Sequence, residues 1–153
     1  MITKIMSGGQ TGADRAALDF GIAHDIETGG WVPQGRVDED GPLGAKYSTL
    51  HETSTPNYTQ RTRKNIEDSD GTLIVSHGDL SGGSLLTRDL ATSFGRPVIH
   101  IDFNANTMEA AASNVKNWIA ENDVYVLNVA GPRASGDPKI CDATRDLLTL
   151  LFD

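Results

Sequence analysis

The segment at residues 2–15 reads ITKIMSGGQTGADR, and it decides the fold class. A short apolar run, Ile2–Met6, leads into three glycines within five residues and then into apolar residues at helical spacing. Glycine allows the backbone to approach an anion closely, and a helix N-terminus contributes about half a positive charge at that point. This order of strand, turn and helix is typical of α/β proteins that bind an anion at the turn.

The rest of the chain alternates strands and helices in the same way. Further strands are predicted at residues 27–32, 71–77, 98–102 and 124–129, with a short edge strand within 47–53. Helices are predicted at residues 13–24, 56–68, 84–94 and 107–121 and from 137 onward. Because the strands are continuous apolar runs, helices should cover both faces of the sheet. We expect one domain over residues 1–153 with a doubly wound, mainly parallel sheet of about five or six strands.

Two details of these helices are also predicted. Thr55 is expected to cap a helix that begins at Pro56. The helix at 84–94 is expected to bury Leu86, Leu90 and Phe94. Ligands of such sheets bind beyond the carboxyl ends of the strands, where the strand order reverses.

The composition argues against several classes of function. The 153 residues carry a formal net charge of −8, whereas nucleic-acid and membrane-surface binding both use a basic face. The apolar runs are too short to span a bilayer. The single cysteine, Cys141, excludes an internal disulfide and fits a reducing compartment. We therefore expect a cytoplasmic protein, and we expect it to be a homo-oligomer. The four histidines share no metal-ligand spacing, so no metal site is predicted.

The first glycine turn is the primary candidate for anion binding. The backbone amides of Gly8, Gly9 and Gln10 and the hydroxyl of Thr11 are expected to hold a phosphate or a carboxylate. Valine at Gly9 should then weaken binding without unfolding the protein. The alternative is a turn that needs glycine only for its geometry. The whole candidate segment comprises Ser7, Gly8, Gly9, Gln10, Thr11 and Gly12.

A second glycine turn and a polar helix face extend the candidate site. The turn offers Gly82, Gly83, Ser84 and Thr87, although Ser84 would also serve simply as a helix cap. In the helix at 56–68, the spacing that normally forms an apolar stripe is occupied by polar side chains suited to phosphate or base contacts. The alternative is that Tyr58 and Ile66 pack while the others are solvated. This stripe comprises Tyr58, Arg61, Thr62 and Asn65.

Three further residues follow predicted strands. Trp31 ends one strand and either stacks on a ligand ring or belongs to the core. Arg36 and Arg133 are candidates for ligand contact because each lies beyond a strand, where a solvated loop arginine is the alternative.

Residues 7–14, 30–36, 58–65, 69–74 and 128–133 together resemble the putative molybdenum carrier family. That family is a branch of the SLOG superfamily of Rossmann-like ligand-binding domains, which is related to the Lonely Guy and DprA families. The resemblance covers nearly the whole chain. It implies a Rossmann-like fold and a phosphorylated pterin ligand, molybdenum cofactor (molybdopterin), as the cargo.

Enzymatic relatives in the superfamily carry Pro-Gly-Gly-x-Gly-Thr-x-x-Glu at the second turn, with a catalytic Glu. Residues 81–89 lack the Pro and the third Gly, Thr87 is displaced by one position, and Asp89 stands where the Glu would be. The resemblance therefore implies a carrier more than an enzyme. The alternative is a phosphoribohydrolase-like enzyme acting on nucleoside monophosphates, with Asp89 or Glu52 as its carboxylate.

Overall fold

The structure is a computed structural model that describes residues 1–153. Its helices are α1 (Ala13–Ala23), α2 (Tyr58–Glu67), α3 (Gly82–Ser93), α4 (Met108–Glu121) and α5 (Ile140–Leu151). Its strands are β1 (Lys4–Met6), β2 (Glu27–Val32), β3 (Val37–Asp38), β4 (Gly41–Pro42), β5 (Leu50–Glu52), β6 (Gly71–Ser76), β7 (Val98–Asp102) and β8 (Val126–Ala130). A single 3₁₀ turn lies at Ala45–Tyr47.

Six of the strands form one sheet in the order β5-β2-β1-β8-β6-β7, and every pair in it is parallel. Helices α1, α4 and α5 pack together on one face, and α2 and α3 pack together on the other. The predicted doubly wound α/β fold is confirmed. The chain builds outward through β1, β2 and β5, crosses to β6 and β7, and returns to place β8 between β1 and β6. The strand order therefore reverses at β1, β8 and β6, whose following loops meet at one edge.

The main core lies between the sheet and the face that carries α1, α4 and α5. All six residues of β6 are buried, and its centre is the apolar run Leu73–Val75. Ile5, Leu73 and Leu127 have no exposed surface. A smaller cluster of Leu18, Val32, Tyr47 and Leu50 lies under the segment at 33–55.

Helix α3 buries a different face from the predicted one. Thr87 and Ala91 face inward, while Leu86 and Phe94 are exposed and Leu90 is half-buried. Thr87 and Ala91 are one turn apart, so a stripe of small side chains lets the helix lie close to β6 and β7.

The start of α2 also differs from the prediction. The helix begins at Tyr58, and the side chain of Asn57 accepts the N–H of Thr59 at 2.7 Å. The Thr55 hydroxyl instead accepts the N–H of Asn57 at 3.1 Å, so it orders the turn before the cap. The antiparallel pair β3–β4 was not predicted, and the other predicted elements differ only at their ends.

Candidate functional site

A cavity of about 760 Å³ opens where the loops after β1, β6 and β8 meet. Its walls come from these loops, from one face of α2 and from the start of α3. Cavities of this size accommodate small-molecule ligands. Of the 26 lining residues 5 are hydrophobic, and the lining includes charged side chains that suit a charged or polar ligand.

The polar stripe of α2 faces this cavity along its whole length, because Tyr58, Arg61, Thr62 and Asn65 all line it. Nη1 of Arg61 donates to the carbonyl oxygen of Gly8 at 2.6 Å, which joins the stripe to the first glycine turn. Helical spacing therefore identified the residues of one cavity wall.

Two guanidinium groups converge on one aromatic ring at the cavity. The guanidinium carbons of Arg61 and Arg133 each lie 5.3 Å from the centroid of the Tyr58 ring. Burial lowers the pKa of Arg61, and the charge of Arg133 adds to this effect. A ligand anion would relieve this repulsion, because both cations could then share it.

A buried carboxylate lies close to the arginines. Asp14 is 7% exposed, and its Oδ2 accepts the N–H of Gln10 at 3.2 Å. Burial raises the pKa of Asp14 to about 6, and the charge of Arg61 is the largest influence that opposes this rise. Asp14 therefore offsets part of the positive charge at the cavity when it is ionised.

We expect Asp14 to make the stability of the protein depend on pH. Its pKa rises from 3.8 to about 6 on folding, so the folded protein binds this proton more tightly than the unfolded chain does. The proton therefore stabilises the folded state fully below pH 3.8, and this stabilisation is lost as the pH rises through 6. At about 1.36 kcal/mol per pKa unit this amounts to about 3 kcal/mol. Urea unfolding between pH 4 and pH 8 should show that the free energy of unfolding falls more with rising pH in the parent protein than in Asp14→Asn. Parallel pH curves for the two proteins would contradict the assignment.

The first glycine turn uses most of its donors within the protein. The N–H of Gly9 reaches Oγ of Ser7 at 3.4 Å, and the N–H of Thr11 reaches Oε1 of Gln10 at 3.2 Å. Gly8 and Gln10 line the cavity, whereas Ser7, Gly9, Thr11 and Gly12 do not. Of the six residues predicted in this turn, the structure brings only these two to the cavity.

Gly9 faces the core and not a ligand. A Cβ there would lie 2.7 Å from Cγ1 of Val32 and 3.1 Å from Cδ1 of Leu50, and its φ is +72°. The expectation that valine at this position would spare the fold is therefore wrong.

The hairpin β3–β4 closes over the first turn through Glu39. Its carboxylate accepts the Thr11 hydroxyl and the Ser135 hydroxyl, and it accepts the N–H of Ser135 at 3.2 Å. The N–H of Glu39 donates to Oε1 of Gln10 at 2.9 Å. These hydrogen bonds hold the pKa of Glu39 below its usual range, the largest contribution coming from the Ser135 side chain. The Thr11 hydroxyl is thus already bound to an internal carboxylate.

The second glycine turn has free donors. The N–H groups of Gly82, Gly83 and Ser84 have no acceptor in the chain, as is usual for the first turn of a helix. Gly83, Ser84 and Thr87 line the cavity, and the space beside the Cα of Gly82 and Gly83 is open. The Thr87 hydroxyl donates to the carbonyl of Gly83 at 2.8 Å, so it shapes the turn. Ser81, not Ser84, occupies the cap position.

Other candidates hold the backbone in place. The amide of Asn65 accepts the N–H of Trp31 at 2.8 Å and donates to its carbonyl at 3.1 Å. The Arg36 guanidinium donates to the carbonyls of Leu50 and Tyr47 at 2.7 and 3.0 Å. Arg36 and Trp31 lie outside the cavity, and the Trp31 indole donates to Asp68 at 2.7 Å.

The carboxylates of the enzymatic alternative also lie outside the cavity. Asp89 is exposed and lies 3.5 Å from the Arg88 guanidinium. Glu52 is exposed and accepts the N–H of Gly35 at 3.2 Å. Neither is placed to act on a ligand bound there.

Sequence reasoning missed two polar pairs beside the cavity. Nδ1 of His77 lies 2.6 Å from Oδ2 of Asp137, and Oγ of Ser76 lies 2.7 Å from Nε2 of His100. His77 directly follows β6, and this position after a strand was the one feature of the sequence that could have identified it.

No group of three or more His, Cys, Asp or Glu side chains is arranged to hold a metal ion. None of the helices has the length and apolarity needed to cross a membrane.

A parallel sheet whose strand order reverses beneath a cavity defines a Rossmann-like α/β domain. The chain belongs to the circularly permutated YpsA SLOG family, whose model matches residues 5–152. It is similar to the crystal structure of a protein from Syntrophus aciditrophicus SB that is called a putative molybdenum carrier protein. The two chains are 53% identical, the match covers 99% of this chain and 96% of that one, and the TM-score is 0.97. A comparison with curated proteins returned no match.

Proposed function

We propose that this protein binds and carries a phosphorylated, pterin- or nucleotide-like ligand, and that the ligand is molybdenum cofactor. The observation that carries the proposal is the convergence of Arg61 and Arg133 on Tyr58 at a polar cavity. The similarity to a protein called a molybdenum carrier supports the choice of ligand.

The charges at the cavity favour a phosphate group. The protein as a whole has a formal charge of −8, yet two guanidinium groups lie against one aromatic ring here, and Asp14 offsets only part of their charge. A guanidinium donates two parallel hydrogen bonds to a phosphate, and such charge-assisted bonds are stronger than neutral ones. The free N–H groups at the start of α3 supply further donors at the same cavity.

The remaining walls suit the polar ring system of a pterin or a nucleotide. Tyr58 and Thr62 line the cavity, and their hydroxyls, which make no hydrogen bond within the chain, can bind ring nitrogens and exocyclic groups. A volume of about 760 Å³ holds a phosphate together with a fused ring.

Native mass spectrometry of freshly purified protein tests this proposal directly. We expect a bound species with the mass of a phosphorylated pterin, and metal analysis of the same sample should detect molybdenum. The Arg61→Ala/Arg133→Ala double variant, prepared in parallel, should lack both signals. A bound nucleotide without molybdenum would overturn the choice of ligand, and equal occupancy in the double variant would overturn the choice of site. The cytoplasmic location and the homo-oligomeric state stay predictions.

A further inference from the structure

His77 and Asp137 form a hydrogen-bonded pair in the wall of the same cavity. Their ring nitrogen and carboxylate oxygen lie 2.6 Å apart, although 60 residues separate them in the chain. The N–H of Lys139 donates to Oδ1 of Asp137 at 3.0 Å, and the Phe103 ring lies 5.4 Å from the imidazole of His77. Their side chains are 26% and 15% exposed, so the pair is held from both sides while remaining accessible from the cavity.

Asp137 determines which nitrogen of His77 carries the proton. An ionised carboxylate only accepts hydrogen bonds, so Nδ1 of a neutral His77 must donate to it. Nε2 then holds the lone pair, and no protein group hydrogen-bonds to it. His77 is the one imidazole that lines the cavity. This arrangement of a positioned imidazole with a free Nε2 is the one that general-base catalysis requires.

We propose that the cavity also hydrolyses the terminal phosphoanhydride bond of a nucleotide-like ligand, with His77 as the catalytic base and Asp137 as the residue that positions it. Nε2 takes a proton from a water molecule, and the water oxygen forms a bond to the terminal phosphorus. The bond from that phosphorus to the bridging oxygen breaks, and its electron pair leaves on the bridging oxygen. The imidazolium then gives its proton to solvent. The products are inorganic phosphate and a ligand with one phosphate fewer.

The choice of a phosphoanhydride follows from the groups available. A phosphate leaving group departs as an anion and needs no proton donor, so one base is sufficient. Arg61 and Arg133 place positive charge at the cavity, where it stabilises the charge that develops on the phosphoryl oxygens. The inference rests on the proposed function, because it takes the phosphate-binding position from the same arginines.

The test uses a nucleoside diphosphate, the matching monophosphate and inorganic phosphate as probes, with and without Mg²⁺. The parent protein should release phosphate from the diphosphate. His77→Asn keeps an amide donor for Asp137 but lacks Nε2, so its turnover number should fall by roughly 10²- to 10⁴-fold. Its dissociation constant for inorganic phosphate should stay within about twofold of the parent value. Asp137→Asn is a second variant that should also lose turnover. His24→Asn, which changes a histidine at the far end of α1, should match the parent.

Each outcome decides a separate point. Full activity in His77→Asn would overturn the assignment of His77 as the base. Equal release of phosphate from the monophosphate would overturn the phosphoanhydride assignment. Free base from either nucleotide would favour the phosphoribohydrolase alternative. Phosphate binding without any turnover would overturn the hydrolysis alone, whereas loss of phosphate binding as well would overturn the proposed function.

Discussion

Arg61→Ala should weaken the binding of a phosphorylated ligand by roughly 10- to 150-fold. A hydrogen bond to a charged group contributes about 1.5 to 3 kcal/mol, and each 1.4 kcal/mol is a factor of ten in affinity. Arg61 lies over Tyr58 and beside Gly8, where it lines the cavity. Arg145→Ala is the matched control, because Arg145 is an exposed arginine on α5 that pairs only with Asp142 and Asp146. Isothermal titration with inorganic phosphate and with a nucleoside monophosphate would measure both variants.

Arg61→Ala also removes the largest influence that lowers the pKa of Asp14. The change therefore acts on the fold as well as on the ligand. The double variant Asp14→Asn/Arg61→Ala separates the two effects, because it has no buried carboxylate left uncompensated. A similar loss of affinity in the single and double variants would assign the effect to the ligand contact. If Arg61→Ala and Arg145→Ala lowered the affinity equally, a role for the α2 stripe in ligand binding would be contradicted.

Gly30→Ala should destabilise the protein by about 3 to 5 kcal/mol. Gly30 lies in β2 with φ +135°, a conformation that side chains rarely adopt. An added Cβ would lie 2.1 Å from the carbonyl oxygen of Ser7, which is backbone and cannot rotate away. The β1–β2 pairing beside the first glycine turn would have to shift. Urea unfolding followed by circular dichroism would measure the loss of stability.

Gly35→Ala separates backbone strain from atomic overlap. Gly35 also has a positive φ, +107°, but an added Cβ there would meet no atom within 4 Å. Strain alone should cost about 1 to 3 kcal/mol. If both variants lost the same stability, the overlap at Gly30 would be relieved by small movements, and our argument for that position would not hold.

The sequence predicted the parts of the site that depend on local periodicity. The polar stripe of α2 needed only the helical repeat, and the parallel sheet needed only apolar runs such as β6. The direction in which a Cβ would point at a turn glycine was not predictable, because the neighbours of that Cβ depend on which elements pack behind the turn. Gly9 faces Val32 for this reason.

Contacts between distant segments account for the other misses. The segment at 33–55 takes its shape from Arg36, which binds two carbonyls, and from Glu39, which reaches Ser135. His77 and Asp137 meet only because β6 and β8 are neighbours in the sheet. Neither pairing produces a characteristic spacing in the sequence, so neither could be predicted before the strand order is known.

The central position of β8 has a consequence for synthesis of the chain on the ribosome. β8 is the last strand to be made, yet it separates β1 from β6. Until residue 126 and its successors emerge, those two strands expose edges whose backbone N–H and C=O groups have no partner. Their eventual pairing with β8 joins segments that are far apart in the chain. Such long-range pairing is slow, and unpaired strand edges promote aggregation. We therefore expect the nascent chain to depend on chaperones until β8 has emerged, and the cavity to form only after that point.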